Sequence, residues 1–150
     1  MLINPETFLR RIDQAILDAP KLITEALAES QLVKLNTENL QQGLDSEGAN
    51  MPPYKDPDYA NFKVSINPRN RGFWDLKVMG DYYRGIRVTI KSGTVHFEQS
   101  IKNEKTLWIE SKTTAMGLKP LGVPEWQLKE VQMKNIPIIK EKLLKKINGV

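Results

Sequence analysis

Apolar positions along the chain fall into three regimes: helical spacing at both ends, alternation in the middle, and no period between. Phe8, Leu9, Ile12, Ile16, Ile23 and Leu27 recur close to the period of an α-helix. Asn4-Pro5-Glu6 ahead of them supplies an N-cap, a proline for the first helical position and an early acid. Pro20 cannot donate a backbone hydrogen bond, which predicts a kink or break near Ile16. Leu32, Val33 and Leu35 extend the apolar supply as far as Asn36. From Asn36 to Asn70 the period fades, and Gly43, Asp45, Ser46, Gly48, Pro52, Pro53, Pro57 and Pro68 predict a long irregular arm. Such a stretch is uncommon in a compact domain unless it has a use. Tyr54, Tyr59 and Phe62 predict that it is pinned onto its own domain or onto a neighbouring subunit.

Alternation follows. Trp74, Leu76 and Val78 alternate with Asp75 and Lys77, as in a half-buried strand. After Gly80-Asp81 the run from Tyr83 to Lys91 places Ile86, Val88 and Ile90 on one face and Arg87, Thr89 and Lys91 on the other. Ser92-Gly93 turns the chain into Thr94 to Gln99, with Val95 and Phe97 facing in and His96 and Glu98 facing out. The sheet is expected to be antiparallel and wet on one face. A short helix from about Asn103 to Thr113 carries Leu107 and Trp108, and Gly117, Pro120, Gly122 and Pro124 form a second connection. Pro124 opens a last helix with Trp126, Leu128, Val131, Ile136, Ile139, Leu143 and Ile147 as its apolar positions. Pro137 predicts a kink in it and Asn148-Gly149 its stop. The fold class is α+β in one domain, 1–150. Its parts are an N-terminal helical segment over 1–35, an extended arm over 36–70, a small antiparallel sheet with a hairpin over 71–100, and a helical part over 101–150.

Composition narrows the function. The 150 residues, 40% hydrophobic and 27% charged, suit one globular domain. Cysteine is absent, which excludes disulfides, thiol catalysis and thiolate metal sites, and a lone His96 leaves no conventional zinc set. The Met-Leu-Ile-Asn-Pro start carries no basic stretch before an apolar run, so no signal peptide is expected. No window nears the ~20 apolar residues of a membrane span. Synthesis in the cytoplasm and no membrane partner are therefore expected. The net charge of +4 raises nucleic acid as a partner. Lys140, Lys142, Lys145 and Lys146 crowd the last turns of the final helix, where the dipole favours cations. Arg69, Arg71, Arg84 and Arg87 are interleaved with Asp75, Asp81 and aromatic residues.

Each candidate for chemistry also has a simpler structural role. Asp45-Ser46-Glu47-Gly48 offers two carboxylates in a turn, but alternate ligands and a later bidentate acid of a calcium loop do not follow. A tight polar turn is expected there. His96, on the outward strand face beside Glu98, has no nucleophile pattern around it. Asp75 and Asp81 stand beside lysines and arginines that favour their ionised forms, so neither is poised as an acid. No phosphate loop, dinucleotide fingerprint or nucleophile elbow occurs. No enzyme activity, catalytic residue, cofactor or metal is expected. The aromatic and basic mix can stack on single-stranded nucleic acid or build an assembly interface, where Tyr, Trp and Arg are enriched. The interface is favoured, with Tyr54, Tyr59, Phe62, Phe73, Trp74, Tyr82, Tyr83 and Arg84 as its candidates and Arg69, Arg71 and Arg87 as candidates for facing DNA or a channel.

Several segments together resemble a family of small virion proteins of tailed phages and prophages of Bacteroidota. The stretch from Leu35 to Gly48, with Leu40, Gly43, Asp45, Ser46 and Gly48, is similar to the family's opening. Tyr54, Tyr59-Ala60, Lys63 and Asn67-Pro68 follow in similar spacing. Asp75 to Tyr83 resembles its strand leading into a glycine-acid-aromatic turn, and Ala115-Met116-Gly117-Leu118 before a proline-bearing helix resembles its ending. The likeness covers roughly 30–147. Met79 stands where the family usually has threonine, and Gln99-Ser100-Ile101-Lys102 departs from its serine-acid step. The layout also resembles tail-completion and neck proteins. That resemblance implies a non-enzymatic subunit of the virion neck or tail, in a homo-oligomeric ring between the portal or adaptor and the tail. DNA passing through a channel is an additional partner it would allow. A small basic nucleic-acid-binding module is the alternative function.

Overall fold

The computed structural model describes residues 3–29, 32–77, 80–91 and 94–150, apart from the side chains at 24–29, 90 and 91. Six helices and a two-stranded antiparallel sheet are present among them, an α+β fold. The helices are α1 (Pro5–Glu29), α2 (Leu32–Gln41), α3 (Pro57–Ile66), the single turn α4 (Asp81–Arg84), α5 (Glu104–Ala115) and α6 (Glu125–Asn148), and the strands are β1 (Ile86–Lys91) and β2 (Thr94–Gln99).

The expected start of α1 is in place: Asn4 Oδ1 accepts the Glu6 N–H at 2.9 Å, with Pro5 at the first helical position. The helix continues through Pro20, and α6 likewise continues through Pro137. Each proline removes one backbone hydrogen bond without ending its helix. Asn103 caps α5 in a reciprocal box with Thr106. Gly149, at φ 74°, ends α6 in the left-handed conformation that glycine tolerates best.

The arm expected over 36–70 is more regular than its composition implies. The second half of α2 and all of α3 lie inside it. Polar Asn36 and Asn39 look like a helix ending, but both are buried on α2. Asn36 Nδ2 donates to the Pro120 carbonyl at 2.9 Å while its Oδ1 accepts the Gly122 N–H at 3.2 Å. Asn39 and Gln127 exchange amide hydrogen bonds at 2.7 and 3.2 Å. These contacts bind α2 to the 120–122 loop and to α6. Asp56 caps α3 through the Asp58 N–H, with Pro57 next.

The strand expected over Trp74 to Val78 does not form, and its burial is reversed. Asp75 is buried while Trp74 and Leu76 are only half-buried. Leu76 adopts φ 56°, the left-handed region, which breaks the extended run. Strand pairing begins at Ile86 rather than Tyr83, because Asp81 to Arg84 coil into α4 after Gly80. From there the hairpin follows expectation, with Ile86 opposite Gln99 and Val88 opposite Phe97, and with His96 and Glu98 facing outward. Val78, Met79, the Ser92-Gly93 turn and the expected facing of Leu27, Ile90 and Lys91 lie outside the described residues and side chains.

Two small clusters hold much of the core among the described residues. Leu32, Val123 and Val131 form one, and Leu40, Tyr82, Ile86 and Ile109 the other. Phe97 on β2 packs against both, and α2 contributes to each through Leu32 and Leu40.

α1 and α6 lie side by side and antiparallel. Asp18 meets Lys146 at 2.6 Å, and Gly149 lies against the Arg11 guanidinium. Ala15 and Leu22 are buried among the described side chains of α1. Most of the apolar stripe read from the sequence remains outside: Leu9 and Ile16 are 60% and 66% exposed and Phe8 and Ile23 are exposed too, while Ile12 is half-buried; Leu17, not part of that stripe, is 74% exposed. Trp126, Met133, Ile136, Ile138 and Leu144 are exposed on α6.

Candidate functional site

The most ordered polar constellation is centred on Asp75, where a residue expected on a strand's wet face becomes a hub. Asp75 is 0% exposed and Lys63, from α3, is 2% exposed, with Nζ 2.7 Å from Asp75 Oδ1. Oδ1 also accepts the Tyr54 hydroxyl at 3.1 Å and the Lys77 N–H at 3.0 Å. Oδ2 accepts the side-chain amides of Asn67 at 2.8 Å and Asn70 at 3.0 Å. The Tyr83 hydroxyl donates to the Asp75 carbonyl, and Lys63 Nζ also donates to the Lys77 carbonyl. Burial alone would push the Asp75 carboxyl up. The Lys63 ammonium, the Asn67 amide and the Lys77 N–H outweigh it and hold the carboxyl below its ordinary range. The Tyr54 and Tyr83 hydroxyls are pushed up, first by burial and then by the Asp75 charge.

A carboxylate with donors on both oxygens has no lone pair directed at a substrate. Its lowered pKa keeps it ionised rather than poised to donate a proton. The arrangement ties α3, the 67–77 turn, the Tyr54 segment and α4 to one buried charge. Asp75 therefore acts as a structural bolt for the middle of the chain.

Beside the hub lies a groove of about 270 Å³, lined by Tyr54, Tyr59, Trp74, Leu76, Trp108 and Lys112 among others. Tyr54 and Tyr59 meet edge to face with ring centroids 5.2 Å apart, and Phe62 lies 6.1 Å beyond Tyr59. Four expected interface residues, Tyr54, Tyr59, Phe62 and Trp74, are thus brought to one side. Phe73 is half-buried, with its backbone bridged to Pro53 and its Cβ pressed against Gly43. Gly43 itself sits at φ 72°, so both its conformation and its contact demand glycine.

Two other candidates belong to the interior. Tyr82 is buried in the core, so it does not present a contact surface, and its hydroxyl finds no hydrogen-bond partner among the described residues. Tyr83 is half-buried and committed to Asp75. Arg84 is exposed and paired with Asp81 in α4.

The three arginines expected to face DNA or a channel are all exposed. Arg69 lies over α2, 3.3 Å from Gln41 and 3.8 Å from Glu38. Arg87 folds back onto the carbonyls of Arg84 and Ile86 at 2.7 and 2.9 Å. Arg71 is exposed in the turn after Asn70.

The sequence places Trp108 in a helix but gives it no site. It is exposed on α5 and reaches the groove, while Thr106, Ile109 and Thr113 occupy the buried face. Its signal was a large aromatic outside the helix's buried positions. The 45–48 turn is the polar turn expected: Asp45 Oδ1 accepts the N–H groups of Glu47 and Ala49, both at 2.9 Å. Glu47 pairs with Lys119 at 2.7 Å.

No helix among the described residues is long and apolar enough to cross a membrane. No protein-family model matches the chain, and neither does any curated protein or solved structure.

Proposed function

We propose that this chain is a non-enzymatic structural subunit of a tailed-phage virion, assembling with copies of itself into a ring in the neck or tail, between portal or adaptor and tail. The observation that carries the assembly is the apolar surface left along α1 and α6. Leu9, Ile16 and Ile23 recur every seven residues on α1, a seam rather than scattered exposure. Each large apolar side chain left in water forgoes roughly 1.5–3 kcal/mol of burial, so covering the seam with a neighbour is favourable.

A second copy is the favoured neighbour. A ring requires a head-to-tail contact between two different patches. The α1 seam and the aromatic side formed by Tyr59, Phe62 and Trp108 are two such patches on one molecule. The virion assignment rests on the resemblance in residues 30–147, and the assembly on the exposed apolar surface.

Native mass spectrometry and electron microscopy of the purified chain test the assembly. Closed oligomers are expected, together with the chain's presence in purified particles. A protein that stays monomeric at high concentration and is absent from particles overturns the proposal.

A further inference from the structure

The net charge of the chain is concentrated in one short stretch. Residues 134–148 hold five lysines, Lys134, Lys140, Lys142, Lys145 and Lys146, against one acid, Glu141, a net of +4. The whole chain also carries +4, so all remaining residues balance, at 17 basic and 17 acidic once these are removed from totals of 22 and 18. Lys142, Lys145 and Lys146 stand three and four residues apart and share a face of α6. With Lys21 of α1 they line a groove of about 410 Å³, whose other lining includes Asp18 and Leu22.

The α6 dipole accounts for lysines in its last turn. It does not account for Lys21, which a different helix brings to the same groove. Asp18 meets Lys146 at 2.6 Å, and that contact, before its hydrogen bond from Gln14, holds the Asp18 carboxyl below its ordinary range. Glu141 meets Lys145 at 2.7 Å. Both pairs are exposed, and such pairs are weak and exchange readily for a stronger anion.

We infer that the groove between α1 and α6 binds the phosphodiester backbone of a nucleic acid, through Lys21, Lys142, Lys145 and Lys146. An anionic membrane fits less well. A helix lying on lipid rests one apolar face on a flat surface. The lysines line a concavity, which accepts a ridge of phosphates rather than a flat sheet of headgroups. This binding does not depend on ring assembly, since the contacts lie within one chain.

The test is fluorescence anisotropy of a labelled mixed-sequence duplex across a salt series with the full chain. Four lysine–phosphate contacts give a slope of log affinity against log salt of about −3.6, or roughly 150-fold weaker binding between 50 and 200 mM salt. Replacing Lys142, Lys145 and Lys146 with glutamine should make the slope shallower by about 2.7. K134Q, on α6 but outside the groove lining, should reduce it by much less. D18N removes an acid from the groove and should tighten binding several-fold, which guards against a triple variant that misfolds. No retention of duplex at low salt overturns the inference. An unchanged slope in the well-folded triple variant, or tighter binding to phosphatidylserine vesicles than to duplex at equal salt, overturns it too.

Discussion

Around Asp75 the chain buries a charge and surrounds it with donors, whereas along α1 and α6 it leaves large apolar side chains in water. The first region is complete within one molecule. Lys63, Tyr54, Asn67, Asn70 and the Lys77 N–H all serve a single carboxylate. The second is half-finished: Ala15 and Leu22 are covered, while Leu9, Ile16 and Ile23 are not. Buried charge demands partners at once, because an unpaired ion in the interior is far costlier than exposed hydrocarbon. An exposed seam can wait for a second molecule. Internal order thus resides around Asp75, and the longest run of uncovered apolar surface lies along the two terminal helices.

The comparison breaks most sharply at Asp75. Asp75→Ala strands the Lys63 ammonium in the interior and should cost about 3–5 kcal/mol in denaturant unfolding. A loss below 1 kcal/mol would show that water already reaches the hub.

Acid should weaken the same region more gently. The folded Asp75 carboxyl titrates below its unfolded value, so its stabilisation is present above the ordinary carboxylate range near pH ~3.9 and lost as pH falls through the folded value. Tyr54 and Tyr83 are shifted the other way, so their contribution is complete below pH ~10 and declines as pH rises beyond it. Hydrogen exchange should show the 54–83 segment losing protection at both extremes. A flat profile through both ranges contradicts the hub.

Asn36→Ala, on α2 between the regions, leaves the Gly122 N–H and the Pro120 carbonyl without their side-chain partner. It should cost about 1–3 kcal/mol by thermal or chemical unfolding. The smallest effect on folding belongs to the seam. Serine at Leu9, Ile16 or Ile23 should change monomer stability by no more than about 0.5 kcal/mol each, yet the triple change should shift native mass spectra from oligomer to monomer. Oligomers that persist would take the seam out of the contact and leave the aromatic side, which Phe62→Ser and Trp108→Ser test next.

Legibility followed the same divide. Elements with local signals were plain: the Asn4-Pro5 start, the Val88–Phe97 hairpin and the Gly149 stop required only nearby residues. α3 carried a cap as clear as that of α1, in Asp56-Pro57-Asp58, but the surrounding prolines made the segment read as loop. The aromatic groove was half legible. Residue type points to Tyr54, Tyr59, Phe62 and Trp74 but not to Trp108, and it points Tyr82 to the surface although that residue lies in the core.

By itself the sequence determined the class of fold, the absence of thiol chemistry, the start of α1 and the ends of α5 and α6, because these depend on residue type and on neighbours a few positions away. Tertiary structure decided which polar residues would be buried and which apolar ones would not. Asp75 looked solvent-facing until Lys63, Asn67 and Asn70 were folded around it, and the α1 stripe looked like core until α6 covered only its neighbouring face. Period and propensity fix how a segment coils, but burial is settled by partners distant in sequence, and no local pattern encodes their arrival.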